Sequence, residues 1–160
     1  MPGELPVAAV IAMNAAGLPA LQLGCAWLFT RLPERWFNRP YRPQASRPGR
    51  GFLSIHRWKD AIPDGASWFR GGFAKATLTA HDPAYIRRFI AETRRGEACH
   101  WTVLAVIPLF FLWNPWWGDL IIAIYALAAN LPCILIQRYN RCRLQHVLGR
   151  YTRTPTAARS

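Results

Sequence analysis

Thr93, Glu97 and His100 fall at i, i+4 and i+7, a spacing that puts three side chains on one face of a helix. An imidazole with a carboxylate one turn away is the arrangement of a general base, because the carboxylate can accept one ring N–H and raise the basicity of the other nitrogen. A second polar set, Gln137-Arg138-Tyr139-Asn140-Arg141-Cys142-Arg143, supplies amides and guanidiniums, the groups that face a developing oxyanion or hold a phosphate. Proton transfer therefore falls to His100 oriented by Glu97, and oxyanion stabilisation to Asn140, Gln137 or Arg138. Asn130, Ile134, Gln137 and Arg141 make one helical stripe that carries the second set into an apolar run. A third set, His56-Arg57-Trp58-Lys59-Asp60 followed by Pro63-Asp64, has His56 and Asp60 at i, i+4.

Each of these residues also has a plainer use. Glu92 and Glu97 can neutralise Arg88, Arg94 or Arg95 in surface pairs, and Arg138, Arg141 and Arg143 can anchor a membrane helix at its cytoplasmic end. Cys99, beside the histidine, points about 100° away from it on a helix and is a poor nucleophile for the same site. His56, Asp60, Glu97 and His100 offer nitrogen and oxygen ligands, but no single stretch has metal-ligand spacing, so no metal is expected. There is no CxxC pair.

The elements that must position these groups are apolar. The 160 residues are 52% hydrophobic with 13 prolines, 8 tryptophans and a net charge of +12, the composition of a small all-α integral membrane protein with an anionic partner or surface. Residues 7–29 carry no charge and are long enough to span; a cleaved secretory signal would begin with a positive region, whereas the only charge before this run is Glu4. Residues 98–113 and 120–137 make two further spans joined by the turn at 114–119, whose tryptophans suit the far interface; the alternative is a re-entrant hairpin that dips in and returns, which leaves the polar ends on the same side. Asn14, Gln22 and Asn130 are costly within such spans unless they face other helices. All 20 Lys and Arg residues lie between Arg31 and Arg95 or after Ile136, so three crossings give an outside N-terminus and an inside C-terminus. One membrane domain over 1–160 then holds a cytoplasmic interfacial loop at 30–82, an amphipathic helix at 83–97 and a basic cytoplasmic tail at 138–160. In that helix Asp82 is the N-cap, Pro83 takes the first position, and Tyr85, Ile86, Phe89 and Ile90 form an apolar stripe opposite Arg87 and Arg88. Cys25 and Cys133 fall within spans and Cys99 and Cys142 at the inner face, so free thiols in a reducing compartment are expected. The loop is basic and aromatic but has no nucleic-acid motif, and anionic lipid headgroups are its expected partners.

The stretches Arg57-Trp58-Lys59-Asp60-x-x-Pro63-Asp64, Gly71-Gly72-Phe73-x-Lys75, Glu92-x-Arg94-Arg95-x-Glu97-x-x-His100-Trp101, Leu112-Trp113-Asn114-Pro115 and Asn130-x-Pro132-x-Ile134-x-x-Gln137-Arg138-Tyr139-Asn140-Arg141-x-Arg143-Leu144 resemble the bacterial glycosyl-4,4'-diaponeurosporenoate acyltransferases. The resemblance runs from about Arg31 to Leu148. It implies a multi-pass protein of the bacterial cell membrane, working at its cytoplasmic face, that moves a fatty acyl group to a sugar hydroxyl of a lipid-soluble glycosylated carotenoid. No cofactor is implied beyond an activated donor such as acyl-CoA, used as substrate. Substrate binding then falls to Lys59, Asp60, Asp64, Glu92, Arg94, Arg95, Asn130, Tyr139, Arg141 and Arg143. The His-x4-Asp signature of soluble-loop glycerolipid acyltransferases is absent, since the residues five beyond His56, His81 and His100 are Ala61, Ile86 and Ala105. Two other classes fit the same residues: a non-catalytic lipid-binding membrane subunit, and a metal-dependent membrane enzyme using His56, Asp60, Glu97 and His100.

Overall fold

A computed structural model describes residues 5–40, 55 and 82–153, and every regular element among them is helical. Three helices carry the fold: α1 (Val7–Arg31), α2 (Pro83–Val106) and α3 (Trp116–Arg153). Short 3-10 turns follow α1 at Glu34–Trp36 and α2 at Ile107–Leu112. His56, Lys59, Asp60, Asp64 and the glycine motif at 71–75 lie outside the described residues.

Prolines set most of the boundaries. Pro33 disfavours helix at the residue before it, and Leu32 is accordingly extended at φ −69° and ψ 142°, ending α1. Pro83 occupies the first turn of α2, where a missing N–H costs nothing, and the Asp82 side chain accepts from the Tyr85 backbone N–H at 2.9 Å as the N-cap. Pro108 cannot continue an α-helical ladder, and the chain tightens there into the 3-10 turn. Asn114 then closes the hairpin by donating to the Phe110 carbonyl at 2.7 Å. Pro19 and Pro132 sit inside α1 and α3 without ending either helix.

The amphipathic helix expected at 83–97 runs without a break into the first part of the expected second span as α2, and the rest of that stretch is the 3-10 turn. The helix expected as a third span is also longer than its apolar run, because α3 continues as helix from 138 to Arg153, where a tail was expected. Its 38 residues reach about 57 Å, roughly twice a hydrocarbon core. The reason lies in packing: Leu144 and Leu148 bury against Ile86, Phe89 and Ile90, so the apolar stripe of early α2 rests on α3 rather than on lipid. At the other end Ile107, Phe110, Ile122 and Ala126 form a second cluster, with Leu18 and Leu21 of α1 against it. Buried Glu92, Thr93 and Asn130 lie between the two. The stripe at 130, 134, 137 and 141 keeps one face through Pro132, with Asn130 and Ile134 fully buried.

α1 and α3 are long and apolar enough to cross a membrane. Their outward faces are correspondingly greasy: Val7, Ile11, Ile121 and Ile124 are each at least 58% exposed, and α1 has no fully buried residue. So much exposed aliphatic surface suits lipid and not water.

At Gly17 α1 lies close against the hairpin, since a Cβ there would lie 2.9 Å from the Phe110 ring, whereas one at Gly24 would meet open space. Gly17→Val is therefore expected to cost about 1–3 kcal/mol by overpacking. Thermal melting in detergent should fall by several degrees for that variant and stay near wild type for Gly24→Ala.

Candidate active site

Asn130 is the centre of the site. Only 1% exposed, it donates from Nδ2 to the Ala126 carbonyl of its own helix at 2.9 Å, which turns its Oδ1 toward α2. That oxygen lies 2.8 Å from His100 Nδ1 and also accepts from Gln22 Nε2 of α1 at 3.4 Å. A carboxamide oxygen only accepts, so Nδ1 of His100 carries the proton and Nε2 carries the ring's lone pair. The tautomer is thereby the one a general base needs.

Sequence reasoning pairs His100 with Glu97; the structure pairs it with Asn130 instead. Glu97 is occupied by stronger partners. Its Oε1 accepts from Arg138 Nε at 2.6 Å and from Trp101 Nε1 at 3.4 Å, while its Oε2 faces Arg141 Nη2 at 2.6 Å. Two guanidiniums outcompete a neutral imidazole for one carboxylate, because charge-assisted hydrogen bonds are the shorter and stronger kind. Burial works against ionisation of Glu97, yet the hydrogen bonds and charges of Arg138 and Arg141 outweigh it and hold the carboxyl below the ordinary glutamate range. This ion cluster sits one helical turn from His100 along α2, about 4.5 Å of rise.

The remaining arginines divide by partner. Arg95 is nearly buried, bonded to Glu92 Oε1 at 2.6 Å and to the Leu32 carbonyl at 3.1 Å, with Phe37 under its guanidinium at 5.3 Å. Glu92 and Arg95, expected at the substrate, are thus used to clasp the end of α1 onto α2. Arg94 donates to the carbonyls of Phe37 at 3.0 Å and Arg39 at 3.3 Å. Burial, together with the charges of Arg141 and Arg39, pushes Arg94 below the usual guanidinium range. Arg143 lies over the buried Tyr139 ring at 5.6 Å. Asn140 is half-buried, and Gln137 Oε1 and Arg141 Nη1 are buried atoms that make no hydrogen bond among the described residues. His100, Asn130, Glu97, Arg138 and Arg141 are therefore brought together by α2 and α3, and Arg94, Arg95 and Glu92 form a separate layer toward the α1 terminus.

Gln22 is a member of the site that sequence reasoning did not assign, although its position inside a charge-free run marked it as needing a partner. Asn14 has the same history at the hairpin tip, where its Nδ2 donates to Asn114 Oδ1 at 2.6 Å and its Oδ1 accepts from Trp113 Nε1 at 3.0 Å. None of the four cysteines is in a disulfide, and no three of His, Cys, Asp or Glu gather as a metal site among the described residues.

Residues 33–150 match the family model described as glycosyl-4,4'-diaponeurosporenoate acyltransferase. Proteins with that name from Staphylococcus aureus strains USA300 and Newman are each 32% identical over 136 residues, covering 80% of this chain and 81% of the relative. No solved structure matches.

The depressed Glu97 carboxyl has a sign that can be measured. A group whose folded pKa lies below its unfolded value contributes stability that is complete above the unfolded value and is lost as pH falls through the folded one. Melting temperature should hold from neutral pH down to about pH 4.5 and fall below it. Glu97→Gln should start lower at neutral pH and lose the part of the acid-side fall that belongs to this carboxylate.

Proposed function

As the chain belongs to the glycosyl-4,4'-diaponeurosporenoate acyltransferase family and is an acyltransferase, we propose that it moves a fatty acyl group from an activated thioester, such as acyl-CoA, to a hydroxyl of a glycosylated carotenoid. The observation that carries this reading is the 2.8 Å contact between His100 Nδ1 and Asn130 Oδ1, from which the tautomer is assigned. With Nδ1–H donated to the amide, Nε2 takes the proton of the sugar hydroxyl as its oxygen attacks the thioester carbonyl carbon. The carbonyl π electrons move onto oxygen, and the buried Nη1 of Arg141, unpartnered among the described residues and in the C-terminal half of α3, faces that charge. When the tetrahedral intermediate collapses, the C–S bond breaks and the imidazolium returns its proton to the departing thiolate. Ester and thiol are the products, with no net proton gained or lost.

Glu97 acts in this scheme through the arginines. It fixes Arg138 and Arg141 beside the histidine and offsets their charge, so that they can orient the donor without binding it irreversibly. We assign Tyr139, Arg143, Lys59, Asp60 and Asp64 to binding of the sugar or the donor. The acceptor arrives through lipid, which suits a site between two membrane helices. The charge distribution supports three crossings with the N-terminus outside and the cytoplasmic face as the working one: Arg94, Arg95, Arg138 and Arg141 all stand at the same end of the hairpin.

His100→Gln tests the reading in cells that make the glycosylated acceptor. Loss of a general base lowers such a reaction by about 10²–10⁴-fold, so acylated product, followed by lipid extraction and mass spectrometry, should vanish at unchanged protein level. Product maintained in that variant would refute acid–base catalysis by His100. Asn130→Leu, which removes the orienting oxygen, is expected to lower the product about tenfold or more.

A further inference from the structure

A cleft of about 400 Å³ opens at the cytoplasmic end of the helices, floored by Ile90 and Leu148 and rimmed by Arg39, Arg87, Arg94 and Gln145. Its volume is in the range of small-molecule sites. Three guanidiniums surround it. Among the described residues Glu34, Glu92 and Glu97 are engaged with Arg88, Arg95 and the Arg138–Arg141 pair, and none is bonded to Arg39, Arg87 or Arg94. Arg94 is held in place by two backbone carbonyls, which fix its orientation without neutralising it. The cleft is a preformed concentration of positive charge with an apolar floor, an arrangement that favours a multivalent anion over a neutral ligand.

Its position along α2 narrows the choice of anion. Arg94 precedes His100 by six residues and Ile90 by ten, about 9 and 15 Å of helical rise. The pantetheine arm of a coenzyme A thioester has about as many bonds between pyrophosphate and sulfur as four extended residues, a reach of roughly 14 Å. Ile90 and Glu97, seven residues apart, share a face, so the arm would run past the Glu97 cluster toward His100. We propose that this cleft binds the phosphorylated nucleotide end of a coenzyme A thioester, with Arg39, Arg87 and Arg94 on its phosphates and the thioester delivered to His100. The assignment rests on the acyl-transfer reading above for the use of the bound thioester, and on the cleft alone for phosphate binding.

The full-length chain, in nanodiscs of phosphatidylcholine, provides the test. Binding of coenzyme A itself is measured by calorimetry for wild type and for the Arg39→Gln/Arg87→Gln double variant, both exposed positions whose melting temperature should hold. The double variant is expected to weaken coenzyme A binding, and to raise KM for palmitoyl-CoA, by about tenfold or more, while KM for phosphate-free palmitoyl-pantetheine moves less than about twofold. Equal coenzyme A binding by the two proteins overturns the proposal. So does a variant that loses only its attraction to vesicles containing phosphatidylglycerol, which would give the arginines to a lipid headgroup. Arginine-dependent coenzyme A binding in a protein that transfers no acyl group from any donor would uphold the cleft and refute the transferase reading instead.

Discussion

A carboxamide carried into hydrocarbon must find partners inside the protein, and the burial of Asn130 is the constraint from which the rest of this structure follows. Its nitrogen is satisfied by its own helix, through the Ala126 carbonyl. Its oxygen is satisfied by the other two, through His100 of α2 and Gln22 of α1. Meeting that requirement fixes how far α2 and α3 are displaced along each other. It also decides which ring nitrogen of the histidine holds the hydrogen, so packing and chemistry are set by the same oxygen.

Two polar layers with different tasks stand on that foundation. Nearer the histidine, one carboxylate is shared by two guanidiniums from α3, and the Trp101 indole closes over Arg138 at 6.0 Å. Farther out, Arg94 and Arg95 reach across to the chain leaving α1 and take up the carbonyls of Leu32, Phe37 and Arg39. Those carbonyls belong to an irregular proline-bounded segment that cannot satisfy them by a helical ladder, and arginine, with five donors on one plane, can reach several at once. Two adjacent arginines thus serve the fold, and the charge left unbalanced on one of them shapes the cleft beside it.

The helical architecture was legible from the chain itself because its signals are strong: a charge-free run at 7–29, an Asp-Pro start at Asp82, and a tryptophan-rich turn. That His100 and Glu97 on one helix would lie near Asn130 and Arg141 on another was also legible, since these residues fall on faces that helical spacing predicts. Which of them would bond to which was not. Spacing along one helix favours Glu97 with His100, but the actual partners come from α3, and competition from a second helix for one carboxylate cannot be read from a single periodicity. The continuation of α3 was hidden for a related reason. Residues 138–153 read as basic and polar, and only the pairing of Leu144 and Leu148 with α2 shows why they stay helical. Gln22 and Asn14 could be recognised as groups in need of partners, though not which ones they would choose.

A lone apolar helix lying against others in lipid has little to stop it from sliding or rolling, because one greasy surface replaces another at small cost. α1 escapes this freedom with two amide rungs, Asn14 to Asn114 near the hairpin tip and Gln22 to Asn130 deeper in. The rungs are eight residues apart, roughly 12 Å in height and about 80° in azimuth, so no single screw motion preserves both. The first helix is pegged at a definite elevation and bearing, and its vertical setting is indexed to the very amide that governs the histidine.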